Sequence, residues 1–155
     1  MLSIQISDIK DFMSHLLSKD TFDHFYFIEA SIKMGVSYQI QGRINEGFYD
    51  TSVEQTLNRE FCYWKEIRHR IFDIIKGKRL PLSCKIVLGL SKQSISYLIA
   101  HNNSSFREED IEGIYVNILY DPKNLLITTG ISYKNFSLDK SLEYAFDEYL
   151  AKFLK

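Results

Sequence analysis

The chain has 155 residues, 45% hydrophobic and 14% aromatic, with 19 Lys and Arg against 20 Asp and Glu and a net charge of −1. A chain of this length folds as one domain and buries roughly 70% of its extended surface, and this apolar content excludes the disordered class. No stretch approaches the ~18 apolar residues that span a bilayer, and the N-terminus lacks the basic and apolar regions of a secretory leader, so a cytosolic protein with no membrane partner is expected.

Leu2, Ile4 and Ile6 alternate with polar residues as a short strand. Ser7 then caps a helix whose apolar positions Ile9, Phe12, Met13, Leu16 and Leu17 repeat at helical spacing, ending near Lys19. Residues 22–32 and 36–44 have period two around a tight turn at Met34 and Gly35, which predicts a hairpin. Thr51 and Glu54 form a capping-box signature for a long helix running to Lys76, where Gly77 stops it and Pro81 prevents continuation. Residues 82–90 alternate as a strand, and Ile95, Leu98 and Ile99 suggest a short helix. The polar run 101–110 reads as a loop. Residues 111–120 and 125–133 form a second hairpin around Asp121, Pro122, Lys123 and Asn124. Ser137 caps a last helix with Leu138, Leu142, Ala145, Phe146, Tyr149 and Phe153 on one face. The predicted fold is α+β: residues 1–155 as one domain, a mainly antiparallel sheet of five to six strands (two hairpins plus a central strand), and about four helices packed on it.

One segment is compositionally distinct. Residues 63–92 hold eight of the 19 Lys and Arg and only two carboxylates, Glu66 and Asp73. On a helical wheel Lys65, Glu66, His69, Arg70, Asp73 and Lys76 share one side, an arrangement that serves either as a solvated, self-paired face or as a phosphate-facing surface. Lys65, Arg70, Lys76, Lys78 and Arg79 are accordingly the candidate nucleic-acid contacts within 65–92. The near-zero overall charge and the position of Lys76, Lys78 and Arg79 at a helix C-terminus, where the dipole favours cations, weigh against that reading.

Arg68 falls inside the apolar arc, between Trp64, Phe72 and Ile75, and a buried guanidinium needs a carboxylate. Glu29, the only acid in FYFIEASI, is the predicted partner. Arg68, Glu29 and Trp64 are therefore either a structural pair or the lining of a polar pocket for an anionic or zwitterionic ligand, which would also be the place for an enzyme active site. A second surface is the polar sheet face, predicted to show Glu29, Ser31, Ser37, Gln39, Gln41, Arg43, Ser83, Lys85, Asn117, Thr128 and Ser132, suited to a protein partner or a homodimer.

The four histidines are scattered without ligand spacing, and no nucleophile or phosphate-loop motif occurs, so neither a metal nor a cofactor is expected. Cys62 and Cys84 read as packed, reduced thiols.

The strings FDHFYFIEASI, YWKEIRHRIFDIIKGKRLPL with KIVLGLS, and TGISYKNFSLDKSLEYAFDEYL resemble a small uncharacterised family of Firmicutes proteins of similar length. The resemblance covers nearly the whole chain and implies a single-domain bacterial cytosolic protein. It brings no activity, cofactor or site residue with it, so the functional expectation is a non-catalytic domain that binds a protein partner or small ligand.

Overall fold

A computed structural model describes residues 2–49, 59–102 and 104–154. The element order is β1 (Ser3–Gln5), α1 (Ile9–Leu17), β2 (Tyr26–Lys33), β3 (Ser37–Gln41), α2 (Trp64–Ile75), β4 (Ser83–Gly89), α3 (Lys92–His101), β5 (Ile111–Tyr120), β6 (Leu125–Tyr133) and α4 (Ser141–Phe153). Short 3-10 turns lie at Glu46–Phe48 and Glu108–Asp110. The six strands form one sheet in the order β1-β6-β5-β4-β2-β3, every neighbouring pair antiparallel. The α+β class, the two hairpins and the central strand between them are as the periodicity predicts.

Strand alternation sorts side chains onto two faces. Phe27, Ala30 and Ile32 on β2, Cys84, Ile86 and Leu88 on β4, and Val116 and Ile118 on β5 pack into one core. Each of the four described helices adds to the same cluster: Phe12, Leu16 and Leu17 from α1, Trp64 and Ile71 from α2, Ile95 and Leu98 from α3, and Leu142, Phe146 and Leu150 from α4. The helices thus cover one side of the sheet. No helix among the described residues is long and apolar enough to cross a membrane.

Several boundaries differ from the sequence reading, each for a local reason. Asp8 rather than Ser7 caps α1, accepting the Asp11 N–H at 3.0 Å. Phe22 and Phe25 belong to a turn before β2, where a cluster of ring edges holds them: Phe22 lies 5.6 Å from Phe12 and 5.4 Å from Phe153. The long helix starts only at Trp64, and the Thr51–Glu54 capping box lies outside the described residues. Residues 59–63 are instead drawn into the sheet margin. Phe61 bridges Arg43 and Tyr63 bridges Tyr26, the Cys62 N–H donates to Gly42 O at 2.9 Å, and the Phe27 N–H donates to Cys62 O at 2.8 Å. Phe61 matches the helical arc by spacing, yet backbone pairing decides its conformation. Glu66 then starts the helix by accepting the Tyr63 N–H at 2.6 Å.

Ser137 and Asp139 also delay α4. Ser137 accepts the Asp139 N–H at 3.1 Å and Asp139 accepts the Ser141 N–H at 2.9 Å. These turns compete with helix, and Leu138 is left 82% exposed instead of facing the core. Two glycines are required by position. A Cβ on Gly42 would lie 1.8 Å from Phe27 O, and Gly77, after α2, has φ of +147°.

Candidate functional site

Arg68 does not meet Glu29. Its Nε and Nη2 donate to the two carboxylate oxygens of Asp23 at 2.8 and 3.0 Å, and Nη1 lies 3.4 Å from Leu17 O. One helical turn earlier, Trp64 Nε1 donates to Leu16 O at 2.7 Å. Both side chains therefore bond carbonyls in the last turn of α1, where backbone acceptors lack helical partners and a cation suits the dipole. Together they clamp α1 to α2. Glu29 sits on the other face, in register with Gln41 and Val87, and is exposed. The sheet separates the expected pair, so the predicted Arg68–Glu29–Trp64 pocket does not form. Sequence periodicity placed Arg68 on the inner side of α2, but the loop beneath it carries the acid, in FDHF.

The basic side chains do not form one patch. Lys65 lines a cavity of about 480 Å³ with Asp23, His24, Tyr63, Gln93 and Tyr149. Lys76 pairs with Asp73 at 2.9 Å. Arg70 is exposed on α2, and Lys78 and Arg79 lie past its end.

The thiols are poor nucleophiles. Burial, with the Glu66 charge adding to it, pushes Cys62 up to about 11, and burial pushes Cys84 up to about 12. Thr21 Oγ1 lies 2.9 Å from His15 Nδ1, but Asp11 is 3.8 Å from the other ring nitrogen, beyond hydrogen-bond range. Among the described residues no group of three or more His, Cys, Asp or Glu side chains could hold a metal ion.

The face opposite the helices is the distinctive surface. Register places Ser37, Gln39 and Gln41 of β3 beside Lys33, Ser31 and Glu29 of β2. These lie beside Ser83, Lys85 and Val87 of β4. Asn117 of β5 and Thr128 of β6 continue the row, and Asn117 donates to Thr128 Oγ1 at 3.3 Å. No helix of the described residues adds its buried side chains here.

One end of this face carries an aromatic corner. Tyr26 pairs with Gly89, and Gly89 with Tyr115, so both tyrosines share the face of Val87. An irregularity in the register at Ile28 shifts β2 so that Tyr26 and Glu29 fall on one side despite their spacing. Tyr26 lies 5.4 Å from Tyr63 and 6.3 Å from Phe61. Arg59 stacks 4.5 Å over Tyr63, and Arg43 5.2 Å over Phe61. Arg59 is held flat by Glu66 in two bonds of 2.6 and 3.0 Å, and Arg43 pairs with Glu60. Burial raises the Tyr115 hydroxyl, and the nearby charges of Glu112 and Glu60 raise it further. Between Tyr26, Ile28, Phe61, Gly89 and Tyr115 a small cavity of about 60 Å³ remains. Only Glu29, Arg43 and the polar row belonged to the sequence-based surface. Tyr26, Arg59, Phe61, Tyr63 and Tyr115 were missed because the bulge and the bridges that gather them leave no mark in local periodicity.

Sheet and helices together define an α+β protein built on one antiparallel sheet, with the described helices on a single side. The chain belongs to DUF5721, a family of unknown function whose model matches residues 15–155, so the match begins within α1 and leaves β1 outside it. No curated protein and no solved structure matches the chain.

Proposed function

We propose that this chain is a non-catalytic, single-domain protein-binding module of the bacterial cytosol that docks its partner on the sheet face opposite the described helices. The observation that carries the reading is the corner of half-buried Phe61, Tyr63 and Tyr115 around buried Tyr26, with stacked Arg43 and Arg59, set at the end of the polar row of the sheet. Tyr and Arg dominate the energetically important centres of protein interfaces, because they supply large contact area with a polar tip or fork. Here both arginines are already fixed by carboxylates and rings, so less side-chain entropy is lost on docking. Serine, glutamine and asparagine on the adjoining strands suit a hydrogen-bonded rim. The Firmicutes origin implied by the sequence strings fits two free thiols, Cys62 and Cys84, in a reducing compartment.

Site-specific photo-crosslinking tests this in cells expressing the protein from its own gene. A photoreactive residue at Ser31, Gln39 or Asn117 is expected to give a discrete adduct whose mass identifies the partner, including a second copy of the chain. The same probe at Arg70, on the helix side, is expected to give none. Adducts from Arg70 and none from the three sheet positions would overturn the proposal.

A further inference from the structure

The core stops short of one end of the sheet. On the helix side, Ile32 is fully buried and Cys84 is 3% exposed. Continuing outward with the same alternation are Val36 and Tyr38 on the hairpin and Leu82 before β4. Val36 is 65% exposed, Leu82 69% and Leu80 67%, because α2 ends at Ile75 and covers nothing beyond it. Backbone bonds bring Leu82 and Val36 to one end of the sheet: the Leu82 N–H donates to Lys33 O at 2.8 Å, and the Met34 N–H donates to Val36 O at 3.0 Å. Val36 and Leu82 therefore project from one rim, exposed Leu80 precedes Leu82 by two residues, and none of the three lines either cavity described above.

The charge at this rim is mainly positive, with Asp121 the acid that follows Tyr120 beside the start of β4. Residues 30–41 and 73–85 contain Lys33, Lys76, Lys78, Arg79 and Lys85 and a single acid, Asp73, which pairs with Lys76. Lys33, Lys78 and Arg79 are exposed and make no ion pair among the described residues. A groove would suit an amphipathic helix, whereas projecting aliphatics ringed by cations suit a soft, anionic, planar surface. Such a surface accepts apolar side chains at the boundary of headgroups and acyl chains and attracts cations to its phosphates.

We propose that the rim formed by Val36 and Leu82, with Leu80, Lys78 and Arg79 of the segment leading into β4, is a peripheral docking tip for anionic phospholipid bilayers. It needs no membrane-spanning element and leaves the open sheet face free for a protein partner. Unlike the polar side of α2, it couples charge to exposed aliphatic surface.

Co-sedimentation with phosphatidylglycerol-rich vesicles at low salt tests the proposal, with phosphatidylcholine vesicles as the reference. Wild type is expected to bind the anionic vesicles and not the neutral ones. The double variant Lys78→Glu/Arg79→Glu is expected to lose affinity by at least about 25-fold, at roughly fivefold per lost cation. Leu80→Ser/Leu82→Ser is expected to lose about tenfold or more while retaining its charge. Lys65→Glu/Arg70→Glu, on the helix side, is expected to bind like wild type. Since all these positions are exposed, unchanged melting curves confirm that each variant folds. Insertion has its own readout: the chain's one tryptophan, Trp64, is fully buried, so a Leu82→Trp variant reports the tip, and its emission is expected to shift to the blue with anionic vesicles. Absence of binding, an unshifted emission, or binding that Leu80→Ser/Leu82→Ser leaves intact would overturn the proposal. So would a duplex DNA that binds with the same Lys78 and Arg79 dependence and displaces the protein from vesicles without involving the leucines.

Discussion

Removing the Arg68 guanidinium should reveal how much the clamp between α1 and α2 holds. In Arg68→Met the aliphatic stem is kept, the two bonds to Asp23 at 2.8 and 3.0 Å are lost, and a carboxylate that is only 13% exposed is left without its counter-charge. Breaking a buried pair from one side costs about 3–5 kcal/mol. With Arg68 itself 22% exposed, water recovers part of that, and about 2–3 kcal/mol is expected. For a chain of this size each kcal/mol moves Tm by roughly 2–4 °C, so the melting point should fall by about 4–12 °C. Urea melts of Arg68→Met, Asp23→Ala and the double variant close a thermodynamic cycle, and a coupling of at least about 1 kcal/mol is expected between residues in direct contact. Glu29→Gln, on the open face, is the control and should stay within about 0.5 kcal/mol of wild type. An Arg68→Met protein as stable as wild type, or strictly additive single effects, would refute the clamp.

Gly42→Ala should be among the most damaging single changes, costing about 3 kcal/mol or more. The added carbon would meet the Phe27 backbone oxygen at 1.8 Å, and a melting point near that of wild type would contradict this. The bond to Arg59, followed by the Tyr63 N–H, holds the Glu66 carboxyl below its ordinary range. Its contribution is therefore present above the unfolded carboxylate value and is lost as pH falls through the depressed folded one. Melting curves of Glu66→Gln should lie below wild type at neutral pH and converge with it in acid. Cys84, pushed up to about 12 and buried, should resist alkylation at pH 8 until denaturant is added, and mass spectrometry after a timed pulse of iodoacetamide checks this.

The second hairpin was legible because β5 alternates from Ile114 onward against β6 and their connecting turn carries its own chemistry. Asp121 Oδ1 accepts the N–H groups of Lys123 and Asn124 at 2.8 and 2.9 Å, a local device visible in four letters. Periodicity also placed Arg68 on the buried side of its helix and the polar row on the outer side of the sheet. What it could not supply was which segment lies opposite. Asp23 and Glu29 are six residues apart in sequence, but strand pairing sends Glu29 to the far face while the preceding turn carries Asp23 under α2. The aromatic corner was hidden for the same reason. Phe61 and Tyr63 become neighbours of Arg43 and Tyr26 only through bridges between distant segments, and the shift at Ile28 changes the face on which Tyr26 falls.

One margin of the sheet is guarded by a three-residue strand. β6 runs nine residues as LLITTGISY, without a charge or a proline. β1 shields only its first part, through the pairs from Ser3–Thr128 to Gln5–Leu126, the Ile6 N–H on Leu125 O at 2.8 Å and the Thr129 N–H on Leu2 O at 3.1 Å. A molecule whose residues 2–6 lift away presents that run as a template for the backbone of another chain. Resistance to fibril formation in a stored solution is then governed by how long five residues at one margin stay seated, a local opening rate that can change while the free energy of global unfolding does not.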